Sequence, residues 1–322
     1  MLPTAELTLD GALAIPVAGL DDGIKKMGPM LNVTRTWNAV CSVAGMRRAI
    51  ALSLDYARKR VVFGAPLSEK ALHVDTLAGL QAEQMGAFLL AFRVVELLGR
   101  EEAGVADDHE VRLGRLLTPI AKLTTARQAV ATASEALESF GGAGYVEDTG
   151  LPRLLRDAQV LSIWEGTTNV LSLDVLRVLG QGSGAFQAFE SEIRHCLEKA
   201  ESADAAREAK VALDAVAHAG RWLEAALAEG RDATEAGARR LALTLGRAME
   251  LARLVEHGAW LLEAKGDPRG IAAARRVARN GVDLIVDLHA LDESRALVGD
   301  GALIRSGGDA HGMHIAHVER RR

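Results

Sequence analysis

The chain has too few cysteines for a disulfide framework. Cys41 and Cys196 stand far apart, each in a helix-like stretch, and read as free thiols of a reducing compartment, the cytoplasm, with one bridge between them as the alternative. Aromatics are scarce too, at 4%, while Ala, Leu, Arg and Glu fill long stretches; strong helix formers in that proportion point to a mainly α protein. No apolar run approaches the length of a bilayer span, so no membrane span is expected. Positive charge is not in excess: the formal net charge is −5 and the pI about 6.0, which argues against a generally basic nucleic-acid-binding surface. The one basic cluster, Arg320-Arg321-Arg322, reads as a solvated end. No basic stretch precedes an apolar core near Met1, and Asp21-Asp22 come early, so no signal peptide is read. What is present is 322 residues with 49% hydrophobic content, enough for one large or two modest cores.

Residues around Leu7 and Leu9 alternate apolar and polar, Asp10-Gly11 reads as a turn, and a second short strand is expected to end near Pro16. A lone hairpin is marginal in water, so it reads as the last strands of a larger sheet. From about Arg35 the apolar period becomes helical as far as Arg60. Gly64 and Pro66 break it, a second helix runs from near Leu72 to Gly99, and the acidic EEAGVADDHE stretch reads as a loop. A third helix spans roughly Leu116 to Phe140 and stops at Gly141-Gly142. A fourth begins after Gly166, with Thr167 or Thr168 as N-cap. Long helices so connected imply a bundle. Gln181-Gly182-Ser183-Gly184 reads as a linker, and three or four amphipathic helices follow over about 185–297 as a second helical unit, before a Gly-rich tail expected to be poorly ordered.

Four features could carry chemistry. Gly141-Gly142-Ala143-Gly144 follows a helix rather than a strand and opens none, so it is a helix terminator and not a dinucleotide fingerprint. His311, His314 and His317 recur at three-residue steps but lack a matching carboxylate or cysteine set, so no metal is expected there. The helices before Gly182 show no paired Glu-x-x-His for a di-iron site. Glu165, in LSIWEGTTNV, lies between an apolar stretch and a helix start. The helix N-terminus favours its charge and apolar neighbours such as Trp164 oppose it, a balance that suits a general base. On these residues alone a solvated or capping glutamate is the stronger reading.

Four segments change that weighting. YARKRVVFGAPL, ALESFGGAGY, LPRLLRDAQV and IWEGTTNVLSLDVLRVL resemble, in order and spacing, the C-terminal helical domain of acyl-CoA dehydrogenases, from the N-terminal hairpin to about Leu179. The WEGTTNVLSLDVLRVL wording is most similar to the AidB-like, alkylation-response branch, which carries an extra C-terminal helical domain. The resemblance implies a mainly α fold: the family's C-terminal four-helix bundle, preceded by a remnant β-hairpin and followed by a second helical unit. The expected division is a remnant of the middle β domain over 1–30, the bundle over 31–182, an additional helical domain over 183–298 and a flexible tail over 299–322.

It also implies a reaction and its residues. Glu165 would take the α-proton of an acyl-CoA thioester, FAD would accept the β-hydride, and the Glu165 backbone N–H would polarise the thioester oxygen. Thr167, Thr168 and Asn169 match the flavin-contacting turn, and Gly166 and Arg35 match the substrate side. Arg60 and Phe63, with Glu138 and Gly142, match residues that reach the FAD of a neighbouring subunit, which implies a homodimer or homotetramer. Electron-transfer flavoprotein or a similar acceptor would reoxidise the flavin. Arg156-Asp157 is expected to serve a structural ion pair. Two positions depart from the family: Glu138 stands where glutamine is usual, and Trp164 where tyrosine is. The chain also begins inside the last part of the family's β domain, so it is expected to be a C-terminal fragment inactive alone. The alternative is a non-catalytic AidB-like scaffold or DNA-associated protein, with Arg239, Arg240, Arg275, Arg276 and Arg279 as its basic groove.

Overall fold

Pro29, in the first turn, suits a helix start because its missing N–H would have found no partner there. The first long helix accordingly begins at Gly28, ahead of the expected Arg35. A computed structural model describes residues 5–17, 19–180, 182, 184–198, 200–201, 203–286 and 291–298. In chain order its elements are α1 (Gly23–Lys26), α2 (Gly28–Lys59), β1 (Val61–Val62), β2 (Ala65–Pro66), α3 (Ala71–Glu102), α4 (Asp108–Glu138), α5 (Pro152–Leu161), α6 (Thr168–Leu179), α7 (Ala185–Cys196), α8 (Ala206–Glu229), α9 (Arg231–Lys265), α10 (Arg269–Asn280) and α11 (Leu291–Val298).

The acidic stretch after α3 is only partly a loop. Asp107 accepts from the Glu110 backbone N–H at 2.9 Å and Glu110 accepts from that of Asp107 at 3.2 Å, a capping box that starts α4 well before Leu116. The expected N-terminal hairpin does not form: residues 5–17 contain no strand, and Leu7 and Leu9 are 77% and 79% exposed. Alternation alone cannot hold two strands that bury nothing. Among the described residues the one sheet is β1–β2, antiparallel with Val61 opposite Pro66 and Val62 opposite Ala65. Gln181, Ser183, the histidines 311, 314 and 317 and the whole of 299–322 lie outside the described residues.

α4 is the axis. Leu116, Leu117, Ile120 and Leu123 are fully buried, and the helix packs against α2, α3, α5, α6, α7 and α9. α9 is the second axis, against α8, α10, α3 and α6. One hydrophobic core runs through both, so Leu117 and Leu245 belong to the same cluster. The two helices meet backbone to side chain: a Cβ at Gly246 would collide with the Thr124 side chain. Two polar ties run from α3 to the later helices. Arg247 of α9 grips Glu83 of α3 through both guanidinium amines at 3.1 Å, and Arg93 of α3 holds Glu192 of α7 at 2.7 and 3.2 Å. Arg156 and Asp157 do form structural ion pairs, with Glu147 and Arg153 respectively.

Candidate functional site

α5 ends at Leu161, and a turn over 162–166 leads to the start of α6. Glu165 sits in this turn with φ +57°, a left-handed conformation that non-glycine residues seldom adopt. Gly166 follows at φ +106°, where only glycine is at ease, and a Cβ there would press on Leu171 at 3.0 Å. Two buried side chains clasp the turn at its ends. Asn38 of α2 donates to the Leu161 carbonyl at 3.0 Å, and Lys122 of α4 donates to the Gly166 carbonyl at 2.6 Å. The Thr167 side chain caps α6 by accepting from the Val170 N–H, as the sequence implied. The backbone N–H groups of Glu165, Gly166 and Thr167 donate to no other described residue. Glu165 is half-buried; Thr167 and Asn169 are exposed, and Thr168 is buried.

Arg35 is part of the same cluster. Its guanidinium pairs with Asp174 of α6 at 2.7 Å, and its Nε is buried without a partner. Arg35 and Glu165 both act on Lys122. Burial first, and then the Arg35 charge, bring the Lys122 ammonium down to about 8, against the opposing pull of Glu165. Around this cluster α2 exposes Met30, Val33 and Trp37, and the turn exposes Ile163 and Trp164.

Arg60, Phe63, Glu138 and Gly142 gather elsewhere. Phe63 and Gly64 form the tip of the β1–β2 hairpin, both with positive φ (+49° and +78°), as a two-residue turn of this hand requires. The strained Phe63 ring is 97% exposed. Arg60 caps α2 and its guanidinium makes no ion pair with another described residue. The ends of α2 and α4 are tied by Ser139–Ser53 at 3.1 Å and by the Tyr56 and Phe140 rings, 4.9 Å apart, which sets exposed Glu138 and Gly142 at the same end as Arg60. Arg35 to Arg60 is about 37 Å of helix at ~1.5 Å per residue. The structure therefore brings Arg35, Glu165, Gly166, Thr167, Thr168 and Asn169 together, and keeps Arg60, Phe63, Glu138 and Gly142 apart from them.

Sequence reading missed Lys122 and Asn38. The available signal was a lone lysine in the apolar run LTPIAKLTT, where every neighbour from Leu116 to Ala126 is buried. A charged side chain in such a run must be paired or functional.

The arginines proposed for a basic groove are largely engaged. Arg275 pairs with Asp204, Arg276 with Asp75, and Arg239 donates to Asn169 at 3.4 Å. A groove of about 920 Å³ between α3, α9 and α10 lies away from Glu165. No helix among the described residues is long and apolar enough to cross a membrane.

Comparison with known proteins gives the following. Residues 21–180 match the model of the acyl-CoA dehydrogenase C-terminal domain, and residues 184–295 match that of the acyl-CoA dehydrogenase 11 C-terminal domain-like family. Acyl-CoA dehydrogenase family member 11 of Caenorhabditis elegans is 45% identical over 263 residues, covering 80% of this chain and 42% of that protein. Putative acyl-CoA dehydrogenase AidB of Escherichia coli is 39% identical over 165 residues, covering 51% of this chain and 30% of that protein. The crystal structure of Caenorhabditis elegans ACDH-11 in complex with C11-CoA superposes with a TM-score of 0.80 at 38% identity, covering 87% of this chain and 49% of that one. The chain thus spans less than half the length of these relatives.

Proposed function

This chain belongs to the acyl-CoA dehydrogenase family, and we propose that it supplies the base and the helical wall for α,β-dehydrogenation of an acyl-CoA thioester with FAD. The observation that carries the reading is the Glu165 turn: a carboxylate held in a left-handed backbone, beside free N–H groups, on an apolar face. Glu165 takes the α-proton, and its own N–H is free to donate to the thioester oxygen, where negative charge builds up. The apolar face of Met30, Val33, Trp37 and Trp164 suits the acyl chain. Arg35, anchored by Asp174, stands beside the Glu165 turn with a buried Nε that no described residue satisfies. FAD, when bound, accepts the β-hydride. The residues present fit part of such a cofactor: the α6 N-terminus offers N–H donors, and Arg60 and Phe63 offer a free cation and an exposed ring. The separation of the two groups, toward opposite ends of α2, supports their serving two different FAD molecules in a homodimer or homotetramer. An electron-transfer flavoprotein or similar acceptor completes the cycle.

Among the described residues nothing covers the acyl side of Glu165, so residues 1–322 alone should turn over little acyl-CoA. The test is a visible spectrum after FAD loading and gel filtration, followed by anaerobic addition of acyl-CoA. Flavin that is retained and reduced, with Glu165→Gln slowing reduction by ~10²–10⁴ at unchanged ligand affinity, supports the base. Equal reduction by Glu165→Gln sinks that assignment. Turnover at the full rate of a complete enzyme by this chain alone overturns the dependence on further surfaces.

A further inference from the structure

Among the largest fully buried side chains of the described residues is that of a lysine. Lys122 is 0% exposed, in the middle of α4, and burying an ammonium costs several kcal/mol unless its charge is answered. It makes one hydrogen bond, at 2.6 Å, to the carbonyl of Gly166. Methionine or leucine would fill the same space in a helix of Leu, Ile and Ala without that cost. A charge kept there calls for an explanation beyond packing.

The position supplies one. The Gly166 carbonyl closes the turn whose preceding residue, Glu165, carries the strained φ of +57°. Such backbone persists only where its surroundings over-determine it. Lys122 holds the turn at Gly166, and Asn38, also fully buried, holds its other end at Leu161. Without these donors the segment 162–166 has few ties: its inward bonds are Ser162 to Gln159, and Ile163 and Trp164 to Val160. The charges that act on the ammonium are Arg35, from α2, which repels it, and Glu165 itself, which attracts it. Asp174 of α6 occupies Arg35, and Arg239 of α9 lies on Asn169 at the start of α6.

We propose that Lys122 is the positioning residue for Glu165: its sealed ammonium locks the Gly166 carbonyl, fixes the left-handed turn, and sets a positive charge behind the carboxylate. The inference rests on Glu165 being the base. Lys122 touches no substrate; it sets where the carboxylate points.

The test uses the full chain. The Lys122 side chain is titrated by ¹³Cε NMR, with Lys122→Met identifying its resonance, in wild type and in Glu165→Gln. The expected midpoint is about 8 in wild type, lower in Glu165→Gln, where the attracting charge is gone. Hydrogen exchange is then followed at the bonded amides of the turn, those of Ser162, Ile163 and Trp164. In Lys122→Met these should exchange at least ~tenfold faster while amides of α8 hold their rates. A midpoint at the ordinary 10.5, or one that Glu165→Gln leaves in place, overturns the proposal. So does unchanged exchange in a folded Lys122→Met. If Lys122→Met fails to fold, Lys122→Arg identifies the resonance and the Glu165→Gln titration alone decides. Neither readout needs flavin, so the two readings fail separately: equal flavin reduction by Glu165→Gln sinks Glu165 as the base, whereas absent coupling or unchanged exchange sinks only the role of Lys122.

Discussion

Glu250 shows at the scale of one residue how the core carries charge. It is fully buried on α9, accepts from Gln128 at 2.9 Å, and burial pushes its carboxyl up to about 8 against the pull of Arg247. Its Oε1 and the Oε1 of Gln128 have no partner, so a proton on Glu250 supplies a donor where only acceptors exist. In the unfolded chain the carboxyl ionises near 4.5, so between 4.5 and about 8 the folded state keeps a proton that the unfolded state has lost. Stability from this group is therefore full below 4.5 and declines as pH rises through about 8. Glu250→Gln removes that dependence, and its Tm advantage over wild type should widen by at least about 3 °C from pH 5 to pH 8 in calorimetry. A gap that stays constant with pH would refute this protonation. Phe63 makes the opposite case. Its ring is 97% exposed on a left-handed residue, and only its backbone is tied, the carbonyl accepting from Lys70 at 3.2 Å. Phe63→Ala should leave Tm within about 1 °C, and on the proposed oligomeric reading it should lower FAD retention after gel filtration. Unchanged retention removes Phe63 from the cofactor site.

Among the elements, those that bury a long apolar stripe were legible and those fixed by local contacts were not. α3 and α6 fall where the 3.6 period and the Thr167 cap put them. The same rule over-read residues 5–17, where the alternation is real but nothing covers Leu7 or Leu9. It under-read VVFGAP as a simple break, because a hairpin with Phe63 at left-handed φ breaks the turn preference for Asn-Gly. At the site, Glu165 and its cap could be placed from LSIWEGTTNV. The clasp could not, because Asn38 and Lys122 come from helices more than forty residues upstream and only packing brings them to the turn. Helix proximity is likewise invisible until the backbones meet. α9 and α10 touch at Gly258 and Gly270, where a Cβ on Gly258 would lie 2.8 Å from the Gly270 backbone. Gly258→Ala should therefore destabilise by about 1–3 kcal/mol despite the better helix propensity of alanine, read as a fall in Tm. A gain in stability would show that the crossing is loose.

As a whole molecule, the chain has two matching family segments, 21–180 and 184–295, and one core. The ties Arg247–Glu83 and Arg93–Glu192, with Gly246 on Thr124, join them too closely for either to melt first. Calorimetry should show a single transition with calorimetric and van't Hoff enthalpies in agreement. Two resolved transitions would show that the segments fold as independent units. The placement of the Glu165 turn and the Phe63 tip toward opposite ends of α2 has a genetic consequence. If, as proposed, each catalytic centre takes its base from one subunit and its Phe63 from the other, two separately impaired alleles complement each other. Co-expressed Glu165→Gln and Phe63→Ala chains would pair so that one centre of the two is whole, and heterozygous activity would exceed that of either parent.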